Sequence, residues 1–185
     1  MSAIKHTLVA LVEDKPGVLN RVASLFRRRG FNIESIAVGH SETLHQSRMT
    51  IVVNGTDSTV EQVRKQLDKV IDVVRVSDIT EEAIVARELA LIKVKATSST
   101  RSDIMQIVDI FRANIVDVAA DSLTIEVTGD EDKIDSLFNL LRGFGIKELA
   151  RTGRIALVRG GAAPLPVEKE IPDSQAKRKR HEAVD

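Results

Sequence analysis

Leu8 to Val12 is an unbroken apolar run that stops at Glu13-Asp14-Lys15-Pro16-Gly17. A run of this length closed by a turn signal predicts a buried strand. Beyond the turn, Val18, Leu19, Val22, Leu25 and Phe26 recur at the spacing of one helical face. Arg27-Arg28-Arg29 closes that helix at its negative end, and Gly30 stands where a left-handed cap is expected. Phe31 to Val38 and Arg48 to Asn54 read as two strands around a polar loop, His40 to Ser47. Thr56-Asp57-Ser58 offers caps for a second helix with Val60, Val63, Leu67 and Val70 on one face, and Ile71 to Val76 predicts a fourth strand. The order is βαββαβ, the split pattern of ferredoxin-like folds.

The pattern then recurs. Glu88 to Lys95 predicts a strand, Ser102 to Phe111 a helix, Asn114 to Ala119 and Ser122 to Thr128 a strand pair, and Asp130 to Arg142 a helix. Ile146 to Leu157 predicts a last, interrupted strand. Thr50-Ile51-x-Val53-x-Gly55 matches Thr124-Ile125-x-Val127-x-Gly129 at a constant offset of 74, which also pairs Val60 with Ile134, Val63 with Leu137 and Leu67 with Leu141. Phe26-Arg27 before Asn32-Ile33 echoes Phe111-Arg112 before Asn114-Ile115. The expected fold class is α+β: two ferredoxin-like βαββαβ units, residues 4–78 and 87–160. Residues 79–86 form a linker in the acidic stretch Ser77–Arg87. Residues 161–185 hold three of the four prolines, lack apolar periodicity and are expected to be disordered.

Composition narrows the chemistry. The 185 residues are 43% apolar and 29% charged, which suits a globular chain, and 27 basic against 27 acidic residues leave no positive field for nucleic acid. There is no Cys, so disulfides, thiolate metal sites and Cys nucleophiles are excluded. Trp and Tyr are absent and Phe occurs only five times, leaving little for base stacking. No apolar stretch approaches the ~18 residues of a membrane span and the N-terminus lacks a signal peptide, so a cytoplasmic chain is expected.

Catalytic signatures are missing: there is no HExxH, GxSxG, GxxxxGK[ST] or GxGxxG after a strand. His40 and His45 share a loop but lack further ligands at metal spacing, so a solvated loop is expected there. Asp130-Glu131-Asp132 sits where carboxylates offset a helix dipole. The basic run Lys177-Arg178-Lys179-Arg180 is cancelled by acidic neighbours in the same tail. The turn Asp14-Lys15-Pro16-Gly17 is more informative. The N–H groups of Gly17, Val18 and Leu19 at a helix N-terminus suit a small anion such as a carboxylate. Gly17 lets a ligand approach the backbone, and Asp14 can take an ammonium. A carboxylate pocket beside an ammonium acceptor suits a free amino acid; the same Pro-Gly turn also serves as ordinary strand–helix punctuation.

Leu11-Val12-Glu13-Asp14-Lys15-Pro16-Gly17-Val18-Leu19-Asn20-Arg21-Val22 resembles the opening of an ACT domain. Arg29-Gly30-Phe31-Asn32-Ile33-Glu34-Ser35-Ile36 and Ser47-Arg48-Met49-Thr50-Ile51 resemble one ACT family in particular, the small regulatory subunit of acetolactate synthase. Arg87-Glu88-Leu89-x-Leu91-Ile92-Lys93-Val94 and Phe111-Arg112-Ala113-Asn114-Ile115-x-Asp117-Val118 resemble that family's C-terminal domain. The resemblance covers about residues 5 to 160. It implies a chain without a catalytic site that binds the large catalytic subunit, raises its activity and confers feedback inhibition by valine, or by isoleucine or leucine. The C-terminal unit and part of an ACT homodimer would dock on that subunit. The cofactors implied, thiamine diphosphate, Mg and FAD, are expected on the catalytic subunit and none on this chain.

Carried over by position, Asp14, Gly17 and Val18, with Pro16 and Leu19 in the same turn, would hold the effector from one subunit of the homodimer, and Asn32 and Ile33 would close it from the other. Many relatives place Asn where this chain has Asp14. The second unit has Thr97-Ser98-Ser99-Thr100-Arg101 in place of the Pro-Gly turn and is assigned no pocket. Rival expectations are a free-standing ACT-type sensor of another enzyme, a ferredoxin-like nucleic-acid module and an independent small enzyme.

Overall fold

The structure, a computed structural model, describes residues 4–161; the expectation of a disordered tail falls, beyond Gly161, outside the described residues. Strand β1 (Ile4–Glu13) leads into α1 (Val18–Arg28), then β2 (Ile33–His40), β3 (Gln46–Gly55), α2 (Asp57–Leu67) and β4 (Val73–Asp78). The second half repeats the order with β5 (Ile84–Lys95), α3 (Arg101–Ile110), β6 (Asn114–Val118), β7 (Ser122–Gly129), α4 (Glu131–Arg142), β8 (Ile146–Arg151) and a short β9 (Ile155–Val158). The first sheet runs β2-β3-β1-β4 and the second β6-β7-β5-β8, the same order in both units, and all pairings are antiparallel.

Each unit buries one sheet face under its two helices. Leu8, Ala10 and Val12 of β1 join Met49, Ile51 and Val53 of β3 and Val22, Phe26, Val60, Val63 and Leu67 of the helices. The positions matched at offset 74 meet the same fate in the second core, where Ile125, Val127, Ile134, Leu137 and Leu141 are at most 1% exposed. Gly30 takes φ +70°, as a left-handed cap requires. Asp130 caps α4, its carboxylate accepting from the Lys133 N–H at 2.9 Å. Thr56 caps α2 by position only, since its hydroxyl meets those of Ser58 and Thr59 instead.

Three expectations shift. Strand β1 begins at Ile4 rather than Leu8, because a central strand is paired along its whole ladder with β3, from Ile4 opposite Gly55 to Glu13 opposite Gln46. The polar start of the strand hid this. Strand β4 begins at Val73: Ile71 is 89% exposed, and Asp72 gives its carbonyl to the Glu13 N–H at 2.8 Å in the preceding turn. The segment read as a linker carries structure. Ile79 is 1% exposed, and Ile84 to Arg87 already pair with β9.

That pairing makes a short ribbon which covers the face of the first sheet opposite its helices. Val9 and Leu11 of β1, Ile79 and Ala156 form a third core, with Val74, Ile84, Ala86 and Val158 packed around it. The apolar run at β1 is continuous because both faces of that strand are buried, so alternation would have placed polar groups in a core. Ile79→Ala should therefore lower the unfolding free energy by ~2–5 kcal/mol in chemical denaturation, as for other buried aliphatic truncations. A loss of less than ~0.5 kcal/mol, the value of an ordinary surface change, would mean that the segment is not part of the core.

Candidate functional site at the first turn and edge strand

The β1–α1 turn is held by backbone bonds from three sides. The Glu13 N–H donates to the Asp72 carbonyl and the Asp14 N–H to the His45 carbonyl, both at 2.8 Å, while the Lys15 N–H returns to Glu13 O at 3.0 Å. Gly17 occupies the cap of α1 with φ +86°, a conformation that costs other residues ~1–2 kcal/mol. A Cβ there would meet only Arg21 Nη1 at 3.9 Å, so the backbone angle and not space requires glycine.

The sequence assigned three free N–H groups to this helix end. The Val18 N–H is partly engaged, donating to Lys15 O at 3.4 Å as the turn closes, while the Gly17 and Leu19 N–H groups have no acceptor among the described residues. Among the described residues no side chain caps the helix and no acidic residue lies in its first turn, so neither device offsets the positive end of its dipole. Val18 is 3% exposed and gives its side chain to the core, leaving only its backbone for a ligand; Leu19 is half exposed. Pro16 and Asp14 are exposed.

Asp14 has a neighbour that sequence spacing did not reveal: His40 Nδ1 lies 3.4 Å from its carboxylate. His40 ends β2 and His45 closes the following hairpin at φ +63°, so the two histidines brace the turn. Among the described residues there is no cluster of three or more groups suited to a metal ion. Arg21, one helical turn on, pairs at 2.5 Å with the buried carboxylate of Asp72. The equivalent turn of the second unit differs in its side chains, with Asp103 in the first turn of α3. Thr97 N–H donates to Thr100 Oγ1 at 3.0 Å, and Arg101 reaches the carbonyls of Ala119 and Ala120.

Asn32 and Ile33 lie at the other end of the sheet. Ile33 is level with Val53 and so with His6, whereas the turn follows Glu13. Seven residues of strand separate them, ~23 Å at ~3.3 Å per residue. One chain does not bring the two halves together. Asn32 is exposed, Ile33 is half-buried against the first core, and β2, which carries Ile33, is one of the two edge strands of its sheet, with β4 at the other edge.

A second polar feature joins the two units. Glu131, at the start of α4, pairs with Lys5 of β1 at 2.5 Å and with Arg154 at 2.7 Å, and Lys5 also reaches Glu34 of β2 at 3.3 Å. Arg154 donates to Thr7 Oγ1 at 3.3 Å and, through its backbone N–H, to Ser35 Oγ at 3.0 Å. Arg48 of β3 donates to the Ala156 carbonyl at 3.0 Å; burial lowers the pKa of its guanidinium. Of these groups, Glu34, Ser35, Glu131 and Arg154 line a cleft of about 360 Å³ together with Glu88, Arg151 and Gly153.

The hydrogen bond from Lys5, aided by the charges of Lys5, Arg154 and Arg151, holds the Glu131 carboxyl below the usual range against its partial burial. Such a group stabilises the folded state fully above its unfolded pKa of ~4.3, and the contribution is lost as pH falls through the lower folded value. Lys5 is 43% exposed, so solvent screening limits the effect. Glu131→Gln should lower the melting temperature at neutral pH by ~2–4 °C, the equivalent of ~1 kcal/mol. The gap from wild type should close as pH drops below ~4. A gap that widens in acid would contradict the assignment.

Comparison with known proteins covers both units. Residues 8–75 match the family described as the AHAS small subunit-like ACT domain, and residues 87–160 match the family described as the small subunit of acetolactate synthase. The chain is 60% identical over 157 residues to the probable acetolactate synthase small subunit of Archaeoglobus fulgidus, covering 85% of this chain and 98% of that one. It is 53% identical over 160 residues to the acetolactate synthase small subunit of Mycobacterium bovis, covering 86% and 95%. The solved acetolactate synthase small subunit of Thermotoga maritima superposes with a TM-score of 0.79 at 44% identity, covering 86% of this chain and 99% of that one.

Proposed function

The chain belongs to the acetolactate synthase small-subunit family, and from that premise we propose that it activates the large catalytic subunit and confers feedback inhibition by a branched-chain amino acid, valine first. The thiamine diphosphate, Mg and FAD of the reaction belong on this reading to the large subunit, and the chain works in the cytoplasm. Residues 4–78 are the sensing unit; residues 87–160 contribute to docking on the catalytic subunit.

One observation carries the effector site. The turn Asp14–Leu19 and the pair Asn32–Ile33 lie at opposite ends of a sheet whose edge strand, β2, is open. Two copies joined antiparallel along β2 under a two-fold axis exchange those ends. Each copy then supplies the turn of one site and the Asn32–Ile33 segment of the other. The effector carboxylate is received by the free N–H groups of the α1 N-terminus, where no side chain competes. The effector ammonium pairs with Asp14. Leu19 and Ile33 offer an apolar wall for an isopropyl or butyl group, and Asn32 completes the polar contacts.

The first test is a melt of the purified protein against each of the twenty amino acids, followed by calorimetry or dye because Trp and Tyr are absent. A ligand at ~100 times its dissociation constant adds ~2.7 kcal/mol of stability. A shift confined to valine, isoleucine or leucine supports the reading; a shift with an unrelated amino acid alone contradicts it. In the reconstituted holoenzyme, Asp14→Ala and Gly17→Val should keep activation and abolish valine inhibition. For Asp14→Ala the valine dissociation constant should rise at least ~tenfold, from the loss of a hydrogen bond to a charged group. Full valine inhibition in both variants would place the pocket elsewhere.

A further inference from the structure

The loop between β8 and β9 grips the open-edged sheet beside the segment that closes the proposed effector site. Gly153 sits there at φ +81°, and a Cβ on it would lie 2.6 Å from Ser35 Oγ and 3.3 Å from the Ile36 carbonyl. The next residue, Arg154, donates its N–H to Ser35 Oγ at 3.0 Å and sends its guanidinium to Thr7 and Glu131. On β2 the grip falls at Ser35 and Ile36. Between Ile33 and Ser35 the register of β2 against β3 shifts, leaving Glu34 without a Cα partner in the ladder. Such an irregularity disrupts pairing locally and lets the strand bend. Effector contacts at Asn32 and Ile33 therefore lie on one side of a pliable point and the grip of the C-terminal unit on the other.

We infer that the loop 152–154 is the element through which the C-terminal unit reads effector occupancy, with Ser35 and Gly153 as positioning residues for inhibition and not effector ligands. This rests on the reading of the β2 edge as the effector site. Effector binding draws Asn32 and Ile33 toward the partner copy's turn, and the bend at Glu34 passes that movement to Ser35. Gly153 lies too close to the strand to absorb it, so the loop must shift and carry β9 with it. A bridge of this kind supplies a physical path between two sites, and only a measured coupling shows that the path is used.

The test compares Ser35→Ala, which removes the acceptor of the Arg154 N–H, and Gly153→Ala, which inserts a methyl group into the contact. Three quantities are read for each variant with the large subunit: activation without valine, the valine dissociation constant by calorimetry, and inhibition at saturating valine. Expected are normal activation, a dissociation constant within ~threefold of wild type, and inhibition at saturating valine that is reduced or lost, as a coupling that has fallen away requires. Valine should also alter amide exchange of residues 152–156 in the wild type and leave it unchanged in Ser35→Ala.

Full inhibition in both variants would overturn the proposal, as would a loss of valine binding that matches the loss of inhibition. If Gly153→Ala does not fold, Ser35→Ala alone decides by the same criteria. A wild-type complex that neither binds nor responds to a branched-chain amino acid would defeat the effector site itself, a different failure from intact binding with intact inhibition in the variants.

Discussion

Because β1 lies between β3 and β4, with helices over one face and the β5–β9 ribbon over the other, its side chains have no solvent-facing set. Leu8, Ala10 and Val12 belong to one core and Val9 and Leu11 to another, all at most 5% exposed. Full burial of an aliphatic side chain contributes ~1.5–3 kcal/mol, so this one strand ties the first unit to its own helices and to the second unit. The ribbon reaches the sheet only because β5 starts early, at Ile84, and because Ile79 folds back into the contact. The two units are therefore joined by packing and not by a tether.

Both faces of β1 are buried, so the first sheet keeps its freedom to make contacts at its edge strands, β2 and β4. One edge, β2, is free, and the turn next to β1 presents an uncapped helix end. Gly17 makes that turn possible by taking a left-handed angle, while Asp72, His45 and Arg21 hold it from behind through carbonyl and ion-pair contacts. The turn is rigid where it meets the protein and unsatisfied where it meets solvent. That combination suits recognition of a small anion, because the donors are oriented before the ligand arrives.

The polar joint between the units stands beside the apolar one and has a different character. Glu131, Lys5, Arg154 and Glu34 form a network at partial exposure, so each pair contributes modestly and mainly sets geometry. The Arg154 backbone and Gly153 press on β2 at the residue after its register shift. A hydrophobic joint at β1 gives the units a fixed relation, while the smaller polar contact at β2 sits where the edge strand is able to bend.

Local pattern alone was enough for the element order, the duplicated architecture and most core positions, because the 3.6 and 2 residue periods are imposed by each unit's own sheet and helices. It also singled out the Asp14–Gly17 turn as a candidate site, since an acid, a proline and a glycine stand together there between strand and helix, a combination that also serves as ordinary punctuation. Tertiary structure decided what periodicity cannot carry. Ile79 and Ile84 looked like linker because their burial comes from another sheet. His40 and His45 are exposed, as a solvated loop requires, but their contacts with the turn were hidden because the turn lies some thirty residues back along the chain. Sequence also could not show that Asn32 and Asp14 stand at opposite ends of one sheet, since that separation follows from strand pairing. Contacts between elements distant in sequence leave no local period, and here those contacts join the two units and divide the candidate site.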